Sequence, residues 1–258
     1  MSMSPRLLRP KAASGFDPRS ISGLGLWLDF GDSASLTLSG SAISEARDKS
    51  GNSRHAVQAT GANQPTVLAN AINGRQVASF DGSNDSLAVS SFPALTQMTA
   101  FAVCYRDWTS RTQFRTVFSS GYAGTAGMAA FVHSSSTTLD IVANDLFSFG
   151  NGFQSGRAPR QIGAVGTRSA NVPLVMSVSL ASSGSGQWIN GASVSERVSS
   201  SGEMNVASGT LSIATDGLGA FADYKIAEVI VYTSALSASQ RQFVERSLGQ
   251  KYAITVSA

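Results

Sequence analysis

From Leu24 onward the chain repeats one pattern: a short run with apolar side chains at every second position, closed by glycine, serine or asparagine. Alternation of period two places successive side chains on opposite faces of a pleated strand. The runs are LGLWLDF (24–30), LTL (36–38), two within RQVASFDGSNDSLAV (75–89), TAFAVCYRD (99–107), RTVFSSG (115–121), GMAAFVHSS (127–135) and TLDIVAND (138–145). PLVMSVSLA (173–181), GQWINGASVSERV (186–198), GTLSIATDG (209–217) and DYKIAEVIVYTSAL (223–236) complete the series. Leu24, Leu26 and Leu28 are expected on one face opposite Trp27, and Val77, Phe80, Leu87 and Val89 in the core. Asn190-Gly191 offers the positive φ angles of a tight hairpin turn, and Asp81-Gly82 marks a second turn. Many evenly spaced strands with such turns predict an all-β, antiparallel, two-sheet sandwich rather than βαβ units.

One helix is expected near 237–250. Ser237 with Gln240 three residues later fits a capping box, and Phe243, Val244 and Leu248 then share one side, ending near Lys251. Residues 1–20 carry Pro5, Pro10 and Pro18, which suppress both helix and ladder bonding, together with Arg6, Arg9, Lys11 and Arg19. They read as an extended arm, either frayed or ordered against a neighbouring subunit. Residues 21–258 then form one domain.

Composition excludes several classes. The net charge of +3 comes from signs mixed along the chain, too weak a balance for nucleic-acid binding despite a pI near 9.2. No run of 18 apolar residues exists, so no membrane insertion is expected. The single Cys104 rules out an intramolecular disulfide or a thiolate zinc cluster, and FAVCY reads as core. The first residues are basic without a following apolar stretch, which is not a Sec signal peptide.

Three blocks go beyond a generic β pattern: GLGLWLDFGDSASLTLSGSAISEARDKSGNSRHAVQAT (23–60), INGRQVASFDGSNDSLAV (72–89) and KIAEVIVYTSALSASQRQFVERSLGQKYAI (225–254). In this order they resemble the concanavalin A-like, laminin-G-like jelly rolls of bacteriophage structural proteins and bacterial surface proteins. The resemblance implies a jelly roll over 21–258. It also implies a virion component, made in the host cytoplasm and built into tail, fibre or capsid for assembly or host-surface attachment. A stand-alone carbohydrate-binding lectin is the alternative, and a glycan-cleaving enzyme is the third, less favoured reading. The implied partners are other virion proteins or a host-surface glycan, in an oligomer, with Arg6, Arg9 and Lys11 in an assembly arm. Within DKSGNSRHA, Asp48 and Asn52 suit Asx turns and Gly51 a left-handed residue, so these polar groups are expected to hold loops.

Candidate chemistry is sparse. Retaining glycanases of this jelly roll carry carboxylates alternately on one strand, as Glu-x-Asp-x-Glu; the five glutamates here are dispersed, with no acidic residue two positions away. There is no G-x-S-x-G elbow, and His133 reads as an ordinary strand-end residue. The expectation is therefore no enzyme, no catalytic residue and no cofactor. Calcium is the one cation to consider, through the oxygens of Asp81, Asn84 and Asp85. Two loops suit recognition: 105–115 with Trp108 and Arg111, and 144–161 with Phe147, Phe149, Phe153, Arg157 and Arg160. Their rings either plug the ends of the sandwich or stack on a ligand or partner.

Overall fold

The computed structural model describes residues 15–106, 116–120, 128–130, 147–148, 171–181, 184–197, 208–215, 217 and 219–257. In chain order the strands are β1 (Leu24–Asp29), β2 (Leu36–Ser39), β3 (Ala42–Ala46), β4 (Ala56–Val57), β5 (Thr66–Ile72), β6 (Arg75–Ser79), β7 (Leu87–Phe92) and β8 (Met98–Arg106). They continue as β9 (Phe118–Ser120), β10 (Met128–Ala130), β11 (Phe147–Ser148), β12 (Leu174–Ala181), β13 (Gly184–Ile189), β14 (Ala192–Arg197), β15 (Gly209–Ile213) and β16 (Tyr224–Tyr232), followed by the helix α1 (Ala238–Tyr252).

The front layer runs β14-β13-β12-β8-β16, and the far edge of β16 is shared by β6 at one end and β1 at the other. The back layer runs β2-β3-β4-β7-β15-β9-β10-β11. β5 joins the two, pairing with β6 and touching β3 through Ala42 and Thr66. Among the described residues every strand pairing is antiparallel, as expected for a jelly-roll sandwich.

Alternation along the central strands buries both faces of the front layer. Ala100, Ala102 and Cys104 of β8 and Leu174, Met176, Val178 and Leu180 of β12 point into the sandwich. Their neighbours Phe101, Val103 and Val175 point outward and are covered by Val244, Leu248 and Tyr252 of α1. Each fully buried aliphatic or aromatic side chain contributes roughly 1.5–3 kcal/mol, so the helix is part of the core.

Two register shifts decide which residues face the helix. One, between Ile226 and Glu228, interrupts the β16–β8 ladder. Ile226 and Val229 remain inside, while Ala227 joins the helix-side cluster and Glu228 contacts Trp27 and Tyr252 there. An unbroken period of two would have aimed Glu228 into the sandwich. The other shift lies between Leu24 and Leu26. Leu26 and Leu28 enter the sandwich as expected, but Leu24 packs on the helix side.

The capping box forms as its spacing predicts: Gln240 N–H donates to Ser237 Oγ at 3.3 Å, and Ser237 N–H to Gln240 Oε1 at 3.0 Å. The predicted apolar side needs correction. Phe243 is 48% exposed, and the buried face is Arg241, Val244, Glu245, Leu248 and Tyr252. The hairpin at Asn190 (φ 50°) and Gly191 (φ 79°) also forms. The strands flanking Asp81-Gly82 do not pair with each other: β6 bonds to β5 and β16, and β7 to β4 and β15, so this turn carries the chain between layers.

At the N-terminus, Asp17 accepts the Arg19 N–H to cap a 3₁₀ turn (Pro18–Ser20). Tyr232 Oη donates to the Pro18 carbonyl at 3.0 Å, and Phe16 meets Phe243 edge to face, so the root of the arm rests on the helix side. Arg6, Arg9 and Lys11 lie outside the described residues.

Candidate functional site

The tract 48–55 closes the outer edge of β1. Asp48, 8% exposed, accepts hydrogen bonds from Trp27 N–H (3.0 Å), Ser50 N–H (2.9 Å), Ser50 Oγ (2.7 Å) and Arg54 N–H (3.0 Å). Lys49 N–H donates to the Trp27 carbonyl at 2.8 Å. Asn52 Nδ2 reaches the carbonyls of Leu24 and Gly25, and Arg54 Nη1 that of Gly25. Asp48 makes the expected Asx turn and Gly51 adopts φ 95°, whereas Asn52 spends its amide on the neighbouring strand. An open strand edge invites pairing with another chain, and these polar side chains occupy that edge.

Beside this edge lies a cluster of five charges. Asp29 and Glu228 are opposite each other in the β1–β16 register, both facing α1. Glu228 Oε1 accepts from the Trp27 indole at 2.7 Å, and Oε2 from Lys251 Nζ at 2.6 Å and Tyr252 Oη at 2.8 Å. Lys251 Nζ also donates to Asp29 Oδ2 at 2.8 Å, while Asp29 Oδ1 accepts the Gly31 N–H at 3.1 Å. Lys49 Nζ reaches Asp32 at 2.6 Å and Asp29 Oδ2 at 3.4 Å, and lies 4.6 Å from the centroid of the Trp27 ring.

Burial raises the pKa of Glu228, and the Asp29 charge adds to this while Lys251 opposes it. Burial, then the Glu228 charge, also raises Tyr252. The hydrogen bond from Lys49 holds Asp32 low. Burial works to lower Lys49, but Asp32 and Asp29 outweigh it and keep the ammonium raised. Lys49 and Lys251 thus link three carboxylates into one chain of ion pairs, Asp32–Lys49–Asp29–Lys251–Glu228. No sequence motif marked it, because its members come from β1, the turn after it that holds Asp32, the 48–55 tract, β16 and α1.

A second buried pair lies further along α1. Arg241 Nη1 donates to Glu245 Oε1 at 2.5 Å, Ser177 Oγ donates to the same oxygen, and the guanidinium stacks 3.7 Å from the centroid of the Trp188 ring. Arg241 is 5% and Glu245 1% exposed.

In the tract considered for calcium, Asp81 Oδ1 accepts the N–H groups of Ser83 (2.8 Å), Asn84 (3.2 Å) and Asp85 (3.3 Å), and Asp85 Oδ2 accepts that of Asp81 (3.0 Å). Burial, followed by the Asp81 charge, pushes Asp85 up to about 6. Asp81 Oδ1 and Asp85 Oδ2 thus hold this loop through backbone amides.

Of the recognition residues, the backbone of Phe147 belongs to β11 at the far edge of the back layer, opposite Ala129. Trp108, Arg111, Phe149, Phe153, Arg157 and Arg160 lie outside the described residues, as does His133. Cys104 is buried at the centre of the sandwich, as expected, and burial raises its thiol.

No protein-family model matches the chain, and no curated protein matches it. Solved structures do. Trypanosoma rangeli sialidase in complex with sialic acid matches with a TM-score of 0.55 at 12% identity, over 90% of this chain and 33% of that one. Domain 4 of AbnA, a GH43 extracellular arabinanase from Geobacillus stearothermophilus, in complex with arabinotriose, matches with a TM-score of 0.51 at 13% identity, over 84% of this chain and 95% of that one. The W1238A mutant of HCR/D matches with a TM-score of 0.53 at 12% identity, over 88% of this chain and 51% of that one. The chain thus spans about a third of the length of the sialidases. At these identities the likeness concerns the fold alone.

The likeness nevertheless corrects one expectation. The exclusion of an enzyme assumed that carboxylates suited to glycan chemistry must alternate along one strand. The fold is shared with sialidases and with a domain of an arabinanase, so it is one that glycan-processing enzymes carry. Moreover, Asp29 and Glu228 show that acidic groups meet here across strands distant in sequence.

Proposed function

We propose that this chain is a glycan-recognition domain. The observation that carries the reading is the match to the arabinanase domain in complex with arabinotriose, which extends over 95% of that chain and is therefore a likeness of whole domains. The residues proposed to make contact are the aromatic and basic groups of the two loops: Trp108, Phe147, Phe149 and Phe153 stacking on sugar rings, with Arg111, Arg157 and Arg160 bonding to hydroxyl or acidic substituents. Calorimetric titration with arabino-oligosaccharides and sialosides tests this. Saturable binding is expected, weakened at least tenfold by Trp108→Ala or Phe149→Ala with the circular dichroism spectrum unchanged. Absence of binding across both glycan classes, or variants that bind like the parent, refutes it.

The narrower setting is a bacteriophage particle, where glycan contact serves attachment and residues 1–20, through Arg6, Arg9 and Lys11, serve assembly. This form rests on the resemblance of the three sequence blocks. Deletion of 1–20 then abolishes incorporation into particles while leaving glycan binding intact; equal loss of both, or of neither, rejects the assembly arm.

A further inference from the structure

The cluster beneath the C-terminal turn of α1 contains the parts of a self-condensing pair. The Lys251 ammonium touches Asp29 Oδ2 at 2.8 Å and Glu228 Oε2 at 2.6 Å, at a place where Asp29 is 6% and Glu228 2% exposed. Asp29 Oδ1 is held by the Gly31 amide, which polarises the carboxyl and can stabilise a negative oxygen. Glu228 is aimed by the Trp27 indole and the Tyr252 hydroxyl.

We propose that Lys251 and Asp29 condense into an intramolecular isopeptide bond, with Glu228 carrying the protons. Glu228 takes a proton from the Lys251 ammonium and passes it to Asp29 Oδ2. The freed Nζ attacks Asp29 Cγ, and negative charge gathers on Oδ1 against the Gly31 amide. A second proton moves from nitrogen through Glu228 to Oδ2, the Cγ–Oδ2 bond breaks and water departs. The ammonium loses two protons, the carboxylate loses one oxygen, and the products are a neutral amide and one water, with no oxidant or other reactant needed.

Contact within the fold raises the effective concentration of amine and carboxyl by orders of magnitude over free solution. Seclusion of the two carboxyl groups from solvent disfavours the charged reactants and limits hydrolysis of the product, while Lys251, its side chain 26% exposed, leaves the released water a way out. Burial also raises the Glu228 carboxyl, favouring the protonated form the relay requires. Lys49 is the competing amine, but it lies farther from Oδ2, at 3.4 Å, and is engaged by Asp32 at 2.6 Å, whereas Glu228 bonds to Lys251. The product would tie β1 to the end of α1, so tension applied at the two ends of the chain would pass through the link and bypass the sheets between.

Intact mass measurement of the purified full chain under denaturing conditions tests the proposal. The expected mass is one water below that of the sequence, and trypsin should release residues 20–47 joined to residues 247–258, uncut at Lys251. Lys251→Arg preserves the charge but cannot condense, and Glu228→Gln removes the relay; both should show the full mass. A parent protein at full sequence mass overturns the proposal. So does a deficit that maps to a succinimide at Asp81-Gly82 or to a link at Lys49. Full linkage in Glu228→Gln overturns the role of Glu228. The parent mass and the arginine variant decide the matter even if Glu228→Gln does not fold.

Discussion

Asp48→Ala tests whether the 48–55 tract secures the edge of β1. The carboxylate serves three backbone amides, those of Trp27, Ser50 and Arg54, and the Ser50 hydroxyl. A hydrogen bond to a charged acceptor contributes roughly 1.5–3 kcal/mol, and a buried amide left without a partner costs about 1–3 kcal/mol. These contributions share one acceptor and do not add, and water will reach the Ser50 and Arg54 amides once the side chain is gone. The Trp27 amide, within the strand, is the one left most costly. A loss of about 3 kcal/mol is expected. For a domain of this size that lowers Tm by roughly 6–12 °C. Urea denaturation followed by tryptophan fluorescence supplies the free energy, and light scattering of the native protein reports association through the exposed edge. Asp48→Asn keeps one acceptor oxygen in place and should lose about half as much. A change below about 0.5 kcal/mol in Asp48→Ala, with no association, would refute the reasoning.

Three further outcomes follow from local geometry. Glu245→Leu leaves the Arg241 guanidinium buried with only the Trp188 ring, and should cost about 3–5 kcal/mol in chemical denaturation. The double variant Arg241→Met, Glu245→Leu should recover most of that loss. Asp85 has a folded pKa of about 6, above its unfolded value, so its contribution to stability is full below the unfolded value and lost as pH rises through 6. Asp85→Asn, which retains an acceptor for the Asp81 amide, should therefore stabilise the protein at pH 7.5 by about 1–2 kcal/mol after solvent screening. That gain should disappear by pH 4, as followed by denaturation at each pH. Gly249→Ala raises helix propensity by about 1 kcal/mol, yet its Cβ would stand 2.7 Å from the Ile254 carbonyl and 2.6 Å from Val256 Cγ2. The crowding is expected to prevail, giving a net loss of about 1–2 kcal/mol in thermal unfolding.

The legible parts of the fold were those with local causes. Leu174, Met176, Val178 and Leu180 announced a two-faced strand, Asn190-Gly191 a primed turn, and Ser237 with Gln240 a helix start. β3 and β5 went unread because SAISEA offers one large apolar residue, Ile43, and TVLANAI sets Val67 beside Leu68 without alternation, with most of β5 exposed. Phe243 was misassigned to the buried side because hydrophobicity was taken as burial; Arg241 and Glu245 occupy that side instead, neutralising each other.

The candidate site was scarcely legible. Glu228 counted only among five dispersed glutamates, and Asp29 only as one position of the run LGLWLDF. What the chain alone determined is its two-layered β architecture and its closing helix, since side-chain alternation and turn chemistry act over a few neighbouring residues. What tertiary structure alone decided is the meeting of Asp29, Glu228, Lys49 and Lys251. That meeting depends on the antiparallel register of β1 with β16, on the shift after Ile226, and on how α1 crosses the sheet. Each of these is set by packing between segments far apart in the chain, where local periodicity carries no information.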